Sequence, residues 1–286
     1  MKRIAMILLA LLLLPACGRA MPAPATIPFV PISGESNGVK WRTLDLEDEA
    51  NAELKEELLR QQNEDKQTEF QMGTKKIVYE HGPIEMVDET GKRTVLLDTD
   101  KRENTSDADE INWRYPRFVG ILDDRYFLFA WDGWEWLCGY AIYDIKEARE
   151  IPIEYYEDMF VKDGIVYSSE QGGEAGYTGP LHLWKYDWKA IVRGETAKAI
   201  DLLAGFSGPD AKWSWYRLLT SDARYFIADN GTQLCIYDLV GKQLIVPTPE
   251  SAYPEDGFGH EFSDWNGAIY LHDAYRQRIT LEITLP

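Results

Sequence analysis

The chain has 286 residues and a formal charge of −18, with 48 acidic against 30 basic side chains. That balance repels nucleic-acid phosphates, which demand Lys/Arg patches, so no nucleic-acid partner is expected. It equally opposes charge-driven adsorption to anionic headgroups and suits solubility outside the cell.

The N-terminus reads MKRIAMILLALLLLPACGRA. Lys2 and Arg3 precede an apolar run from Ile4 to Leu14, shorter than the roughly 20 residues of a membrane span. A charged start, a short apolar core and small residues at the end describe an export signal over residues 1–16. Leu14-Pro15-Ala16-Cys17 resembles the bacterial lipobox. The resemblance implies a lipoprotein in which Cys17 becomes the first mature residue and carries lipid, palmitate included. Each buried CH2 of an acyl chain contributes about 0.8 kcal/mol, so more than one chain makes a stable anchor. The expected location is a bacterial cell membrane, lipid-anchored and facing outside the cytoplasm. Losing residues 1–16 removes two basic side chains and no acid, which takes the charge from −18 to −20.

Residues 17–44 read as lipid anchor and flexible tether, since 18–38 are rich in Pro, Gly, Ala and Ser and bury little. Residues 45–70 read as a charged helix: DLEDEANAELKEELLRQQNEDKQTE holds no Gly or Pro and many good helix formers. Ala50, Leu54 and Leu58 are spaced by four, which gives one narrow apolar face. Acids crowd the start, which suits the helix dipole. Apolar heptads for a coiled coil are missing.

Residues 72–286 change texture. Short runs rich in Val, Ile, Tyr, Phe and Trp alternate with turn residues, the pattern of an all-β body. A turn-then-strand phrase recurs as KKIVYEH (from Lys75), DDRYFLFA (Asp123), KDGIVYSS (Lys162), SDARYFIAD (Ser221) and WNGAIYLHD (Trp265). A second phrase follows it: a strand, an Asp, a tight turn and another strand, with Asp88, Asp144 and Asp238 in register. The third copy has Asp187 in register and a longer turn, and the last shrinks to RITLEITL. One more candidate strand precedes each first phrase, as RFVGIL and WYRLLT do. Four-stranded units at intervals of roughly 40 to 60 residues are the signature of β-propeller blades. In RYFLFA, Tyr126 and Leu128 point to one face and Phe127 and Phe129 to the other, so both faces are apolar. A strand with one wet face would alternate; a blade strand is clamped from both sides.

Over residues 72–286 the chain resembles bacterial β-propellers of the WD-repeat, YVTN and TolB-like type. The resemblance is architectural and implies no catalytic residues. Five four-stranded blades are expected, the last completed by VKWRTLDL from Val39; counting that segment as part of another blade makes six. An open sandwich is the alternative.

With blade strands labelled a to d, the d–a and b–c connections of the fold it resembles share one end. Here those connections are the long ones: 98–113, 131–139, 168–180, 204–213 and 247–260; the lone exception is the c–d segment around WKAIVRGETAK. Binding residues concentrate on long loops over a rigid scaffold. The candidate partner-binding residues are Trp134, Glu135, Trp136, Glu170, Glu174 and Tyr177, since exposed aromatics favour protein partners and sugar rings alike. The bland alternative is that the aromatics wedge between blades.

Other chemistry is sparse. His81, His182, His260 and His272 form no HExxH or close pair, so no metal site is expected. GFSG at Gly205 is not a nucleophile elbow. GGEAGYTG at Gly172 lacks the Lys of a phosphate loop. In DTDKRENTSDADE, Arg102 sits where a calcium loop wants oxygen. No cofactor is expected. Beyond Cys17 only Cys138 and Cys235 remain; a bridge between them is open outside the cytoplasm, and burial as free thiols is the alternative. The expected function is non-catalytic binding of a protein or envelope glycan partner through the long-loop end. The alternative is a carbohydrate-active enzyme, or a glycan or small-ligand sensor, using carboxylates whose separation a sequence does not give.

Overall fold

The computed structural model describes residues 33–36, 38–64, 68–80, 82–103, 111–133, 137–153, 158–171, 178–179, 181–195, 199–206, 211–212, 217–229, 234–246, 260–273 and 279–286. Strands β1 (Ser33–Ser36) and β2 (Val39–Asp45) form a hairpin, with Gly38 just before β2 at φ 77°. Such positive φ is what a two-residue hairpin turn demands. A 3-10 turn, Glu49–Asn51, follows. The Asp48 carboxylate caps it by accepting the Ala50 N–H at 3.0 Å. Helix α1 (Ala52–Glu64) continues from it.

Five antiparallel sheets of at least four strands come next in chain order. The first is β3 (Glu69–Met72), β4 (Lys75–Tyr79), β5 (Ile84–Val87) and β6 (Arg93–Leu97). The second is β7 (Asp100–Glu103), β8 (Ile111–Ile121), β9 (Tyr126–Asp132), β10 (Leu137–Asp144) and β11 (Arg149–Ile153). The third contains β12 (Met159–Lys162) and β13 (Ile165–Gln171). After the short β14 (Thr178–Gly179) come β15 (Leu181–Tyr186), helix α2 (Trp188–Val192) and β16 (Ala199–Asp201). β14 pairs apart from that sheet, with β17 (Ala211–Lys212). The fourth sheet is β18 (Arg217–Leu219), β19 (Tyr225–Asp229), β20 (Leu234–Asp238) and β21 (Gln243–Ile245). The fifth is β22 (His260–Trp265), β23 (Ala268–Asp273) and β24 (Ile279–Thr284), continued by β2 and β1.

The all-β expectation holds, and the arrangement is propeller-like in kind. The strand expected from Val39 runs antiparallel to β24, from Lys40 opposite Thr284 to Asp45 opposite Ile279. β1 and all of β2 but its last residue thus lie within the span 17–44, and α1 fills part of 45–70. Leu54 and Leu58 are buried, as their spacing predicts. Ala50 is exposed, because it lies in the 3-10 turn ahead of α1 and out of register with its stripe.

Four of the sheet-to-sheet contacts are apolar cores. Phe127 and Phe129 face the first sheet, against Ile77 and Ile84. Leu128 and Ala130, on the other face of the same strand, meet Val166 and Tyr186 of the third. All four of these β9 residues are 0% exposed. Tyr167 and Leu183 meet Phe226, Ala228 and Cys235, and Ile227 and Ile236 meet Trp41, Ile269 and Ile283. The fifth sheet's remaining face, with Ala268 and Tyr270, is covered by Leu54 and Leu58 of α1. Cys235 is a buried thiol in the third-to-fourth core and takes part in no disulfide.

Phe127→Ala removes a ring that packs on Phe118, Phe129 and Tyr143. It should cost about 3–5 kcal/mol, read by denaturant unfolding. Val240→Ser, at a 74% exposed site, should stay within about 0.5 kcal/mol.

Candidate functional site

Antiparallel order puts the a–b and c–d turns at one end of every sheet and the b–c and d–a connections at the other. The two ends use different chemistry. At the short-turn end the a–b links of the first, third and fifth sheets are two residues long. They place Gly73, the Asp163-Gly164 pair and the Asn266-Gly267 pair at positive φ. These are hairpin turns of the Asp-Gly and Asn-Gly kind.

The second and fourth sheets solve the same turn differently, with D-x-R-Y-F. Asp123 Oδ1 accepts the Arg125 and Tyr126 N–H groups at 2.9 and 3.0 Å. Asp222 Oδ1 accepts the Arg224 N–H at 3.0 Å. The Arg then reaches across the sheet to the Asp that ends the third strand. Arg125 Nε and Nη2 donate to the two oxygens of Asp144 at 2.8 and 2.6 Å. Arg224 Nη2 donates to Asp238 Oδ2 at 3.1 Å. Each guanidinium also lies over the next Tyr ring, at 4.9 Å for Tyr126 and 4.6 Å for Tyr225. The same two Asp residues cap the following turn, accepting from Lys146 and Glu147 N–H and from Val240 and Gly241 N–H. A Cβ at Gly241 would stand 2.7 Å from Asp238 Oδ2, so a larger residue there would need the carboxylate to shift.

Hydrogen bonds from Arg125 hold the Asp144 carboxyl below the usual carboxylate range against its burial. Burial pushes Asp238 up, but Arg224 and the turn N–H groups outweigh it and the net shift is down. Asp88, without an Arg, is lowered chiefly by the Thr90 hydroxyl. Asp187 caps α2 through the Ala190 N–H. This end is structural, and its Asp landmarks are turn caps.

At the long-connection end the strands reach further than their sequence suggests. Leu137 pairs with Asp132, and a bulge follows before Gly139. The connection expected over 131–139 is therefore only 133–136. Trp131 belongs to the core: its indole Nε1 donates to Glu150 Oε2 at 3.0 Å, and the Arg114 guanidinium covers its ring at 4.0 Å. Arg114 in turn is held by Asp100 at 2.7 Å, across the β7–β8 hairpin that fills part of 98–113. Arg117 pairs with Asp132 at 2.7 Å. In the third sheet, Asp201 Oδ2 lies 2.9 Å from His182 Nδ1 while Oδ1 accepts the Leu203 N–H at 2.9 Å. The His182 ring stacks on Trp184, with centroids 5.5 Å apart.

Of the expected partner-binding residues, Glu170 lies in β13 directly opposite His182. Trp134, Glu135, Trp136, Glu174, Tyr177 and the lipidation residue Cys17 lie outside the described residues. The loops carrying Trp134 and Tyr177 belong to consecutive sheets, at the same end of each. Sequence reading passed over His182–Asp201, which no short motif marks. Among the described residues no group of three His, Cys, Asp or Glu could hold a metal. No helix among them is long and apolar enough to cross a membrane.

No protein-family model matches the chain. No curated protein matches it in sequence. Among solved structures, it is similar to the extracellular domain of the one-component system BT4673 of B. thetaiotaomicron, at 13% identity and TM-score 0.39. That match covers 75% of this chain and 26% of the other, so the chain spans about a quarter of that protein's length. Apo AztD from Citrobacter koseri is similar at 10% identity and TM-score 0.32, over 72% of this chain and 65% of that one.

Carboxylates with depressed pKa stabilise the fold fully above their ordinary range near 4 and lose that contribution as pH falls through the lower folded value. Acidification below about pH 4 should therefore weaken the short-turn end. Asp144→Asn should cost about 1–3 kcal/mol at pH 7, by removing charge-assisted bonds that the partly exposed Arg125 tempers. It should also flatten the acid limb of a stability-versus-pH curve.

Proposed function

We propose that this protein is a lipid-anchored β-propeller on the outer side of a bacterial membrane, held through Cys17. In this reading β2 closes a ring of five blades, with α1 covering the face where the last blade meets the first. It is a non-catalytic binding module, and a protein or envelope-glycan partner sits on the long-connection end. The observation that carries the proposal is the contrast between the two ends. One end consists of two- to five-residue turns locked by Asp caps and Arg–Asp pairs, apart from the α2 segment that links β15 to β16. The other carries the longest links between described strands, from β16 to β18 and from β21 to β22. Sequence free to vary in length on a fixed scaffold is where recognition concentrates. The described carboxylates there support binding over catalysis: Asp100, Asp132 and Asp201 are each oriented by a basic partner.

Two experiments test this. Labelling cells with an alkynyl palmitate analogue should tag the native protein, and Cys17→Ser should carry no label and leave the membrane fraction. In-cell crosslinking should capture a specific partner that is lost when residues 133–136 and 172–177 are replaced by short turns, with the melting temperature unchanged. A partner retained by that variant would move the binding surface elsewhere.

A further inference from the structure

Among the described residues, the large apolar side chains left exposed are Val95, Tyr115, Ile200 and Val240. Tyr115 is the one ring among them, 41% exposed. It stands on β8 directly opposite Asp132, where β9 finishes at the long-connection end. Residues paired in this way project from the same face of a sheet, and so does the residue two positions along. That residue is Arg117, whose Nε donates to Asp132 Oδ2 at 2.7 Å. Ring, guanidinium and carboxylate therefore share the face of the second sheet that packs on the third.

The support beneath them joins the two sheets. The buried Tyr140 hydroxyl accepts the N–H of Met159, the first residue of β12, at 3.0 Å. The same hydroxyl lies within hydrogen-bonding reach of Arg117. Arg117 is thus positioned by Asp132 and by Tyr140, yet its side chain stays 42% exposed and that of Asp132 34%. A fixed polar pair beside an exposed ring is a preorganised surface rather than a packed core.

The chemistry of the three groups narrows the ligand. The ion pair is neutral as a unit, so a charged ligand gains from one member and is repelled by the other. Arg117 only donates and an ionised Asp132 only accepts, whereas a hydroxyl does both. Two neighbouring hydroxyls on one rigid ring can therefore meet both members at once. The Tyr115 ring offers a flat apolar surface to the C–H face of the same ligand. A chain of charge −18 also repels anionic sugars.

We infer that Tyr115, Arg117 and Asp132 bind a neutral pyranose unit of a glycan, its C–H face on Tyr115 and two adjacent hydroxyls on the Arg117–Asp132 pair. This deepens the partner-binding reading and rests on it, since it takes the long-connection end as the binding surface.

The test is a ligand-observed NMR titration of the intact chain with methyl β-glucoside, methyl β-galactoside and methyl N-acetyl-β-glucosaminide, against methyl β-glucuronide as the charged counterpart. At least one neutral glycoside should bind with a Kd in the millimolar range, at least tenfold more tightly than the glucuronide. Tyr115→Ala should weaken that binding at least tenfold, and Tyr115→Phe should keep it within threefold, which separates the stacking ring from its hydroxyl. Binding of none of the three glycosides, equal or tighter binding of the glucuronide, or undiminished binding to Tyr115→Ala would overturn the assignment. In-cell crosslinking tells the two readings apart. A protein partner captured at the long-connection end while no glycoside binds overturns the sugar site and keeps the binding module. Neither a glycoside nor a crosslinked partner overturns both.

Discussion

Everything in this molecule follows from sheets that must hide both of their faces. A single antiparallel sheet with one wet face needs only one apolar side. Here Phe127 and Phe129 are buried on one side of β9 and Leu128 and Ala130 on the other. The second, third and fourth sheets each share one core with the sheet before and another with the sheet after. Burying a large side chain contributes roughly 1.5–3 kcal/mol, and each core here joins two sheets, so stability is distributed around the chain. At the fifth sheet the next neighbour is a helix, and two leucines, Leu54 and Leu58, take the place of a whole apolar strand face.

Packing alone leaves the turns undetermined, and the chain settles them in two ways. Where the link has two residues, Asp-Gly, Asn-Gly or, in the first sheet, Gly73 supplies the left-handed backbone. Where it is longer, D-x-R-Y-F supplies an Asp cap, an Arg that crosses to the far turn, and a Tyr beneath that Arg. The phrase recurs in the second and fourth sheets because both place an Asp at the end of the third strand for the Arg to meet. One ion pair thus joins two turns that are distant in sequence and adjacent in space.

The strands, the two-sided burial and the return of the Val39 segment to the C-terminal strand were legible because each leaves a periodic apolar signal. The Asp landmarks were legible as positions but not as chemistry, since the Arg125–Asp144 partnership needs two turns brought side by side. β7, β14 and β17 were not legible. Asp100–Glu103 and Thr178–Gly179 carry no apolar alternation, and their pairing is backbone hydrogen bonding between loops. The stretch 131–139 looked like an exposed aromatic loop, yet Trp131 is a core residue under Arg114. Indole spacing in a sequence does not say which ring faces inward.

β2 and β24 touch across 240 residues of chain, as the Arg42–Glu282 pair records. Thermodynamically that distance matters little, because doubling a loop costs only about 0.6 kcal/mol. Kinetically it matters a great deal, because contacts this remote form late. The strand that emerges among the first must wait for one that emerges among the last. Until then Val39 and Trp41 have no ladder to join, and the fifth sheet cannot seal the fourth. A chain threaded outward through a membrane would pass this interval with an open apolar edge. Its vulnerable period is set by the time needed to deliver residues 279–284 rather than by the strength of any single core.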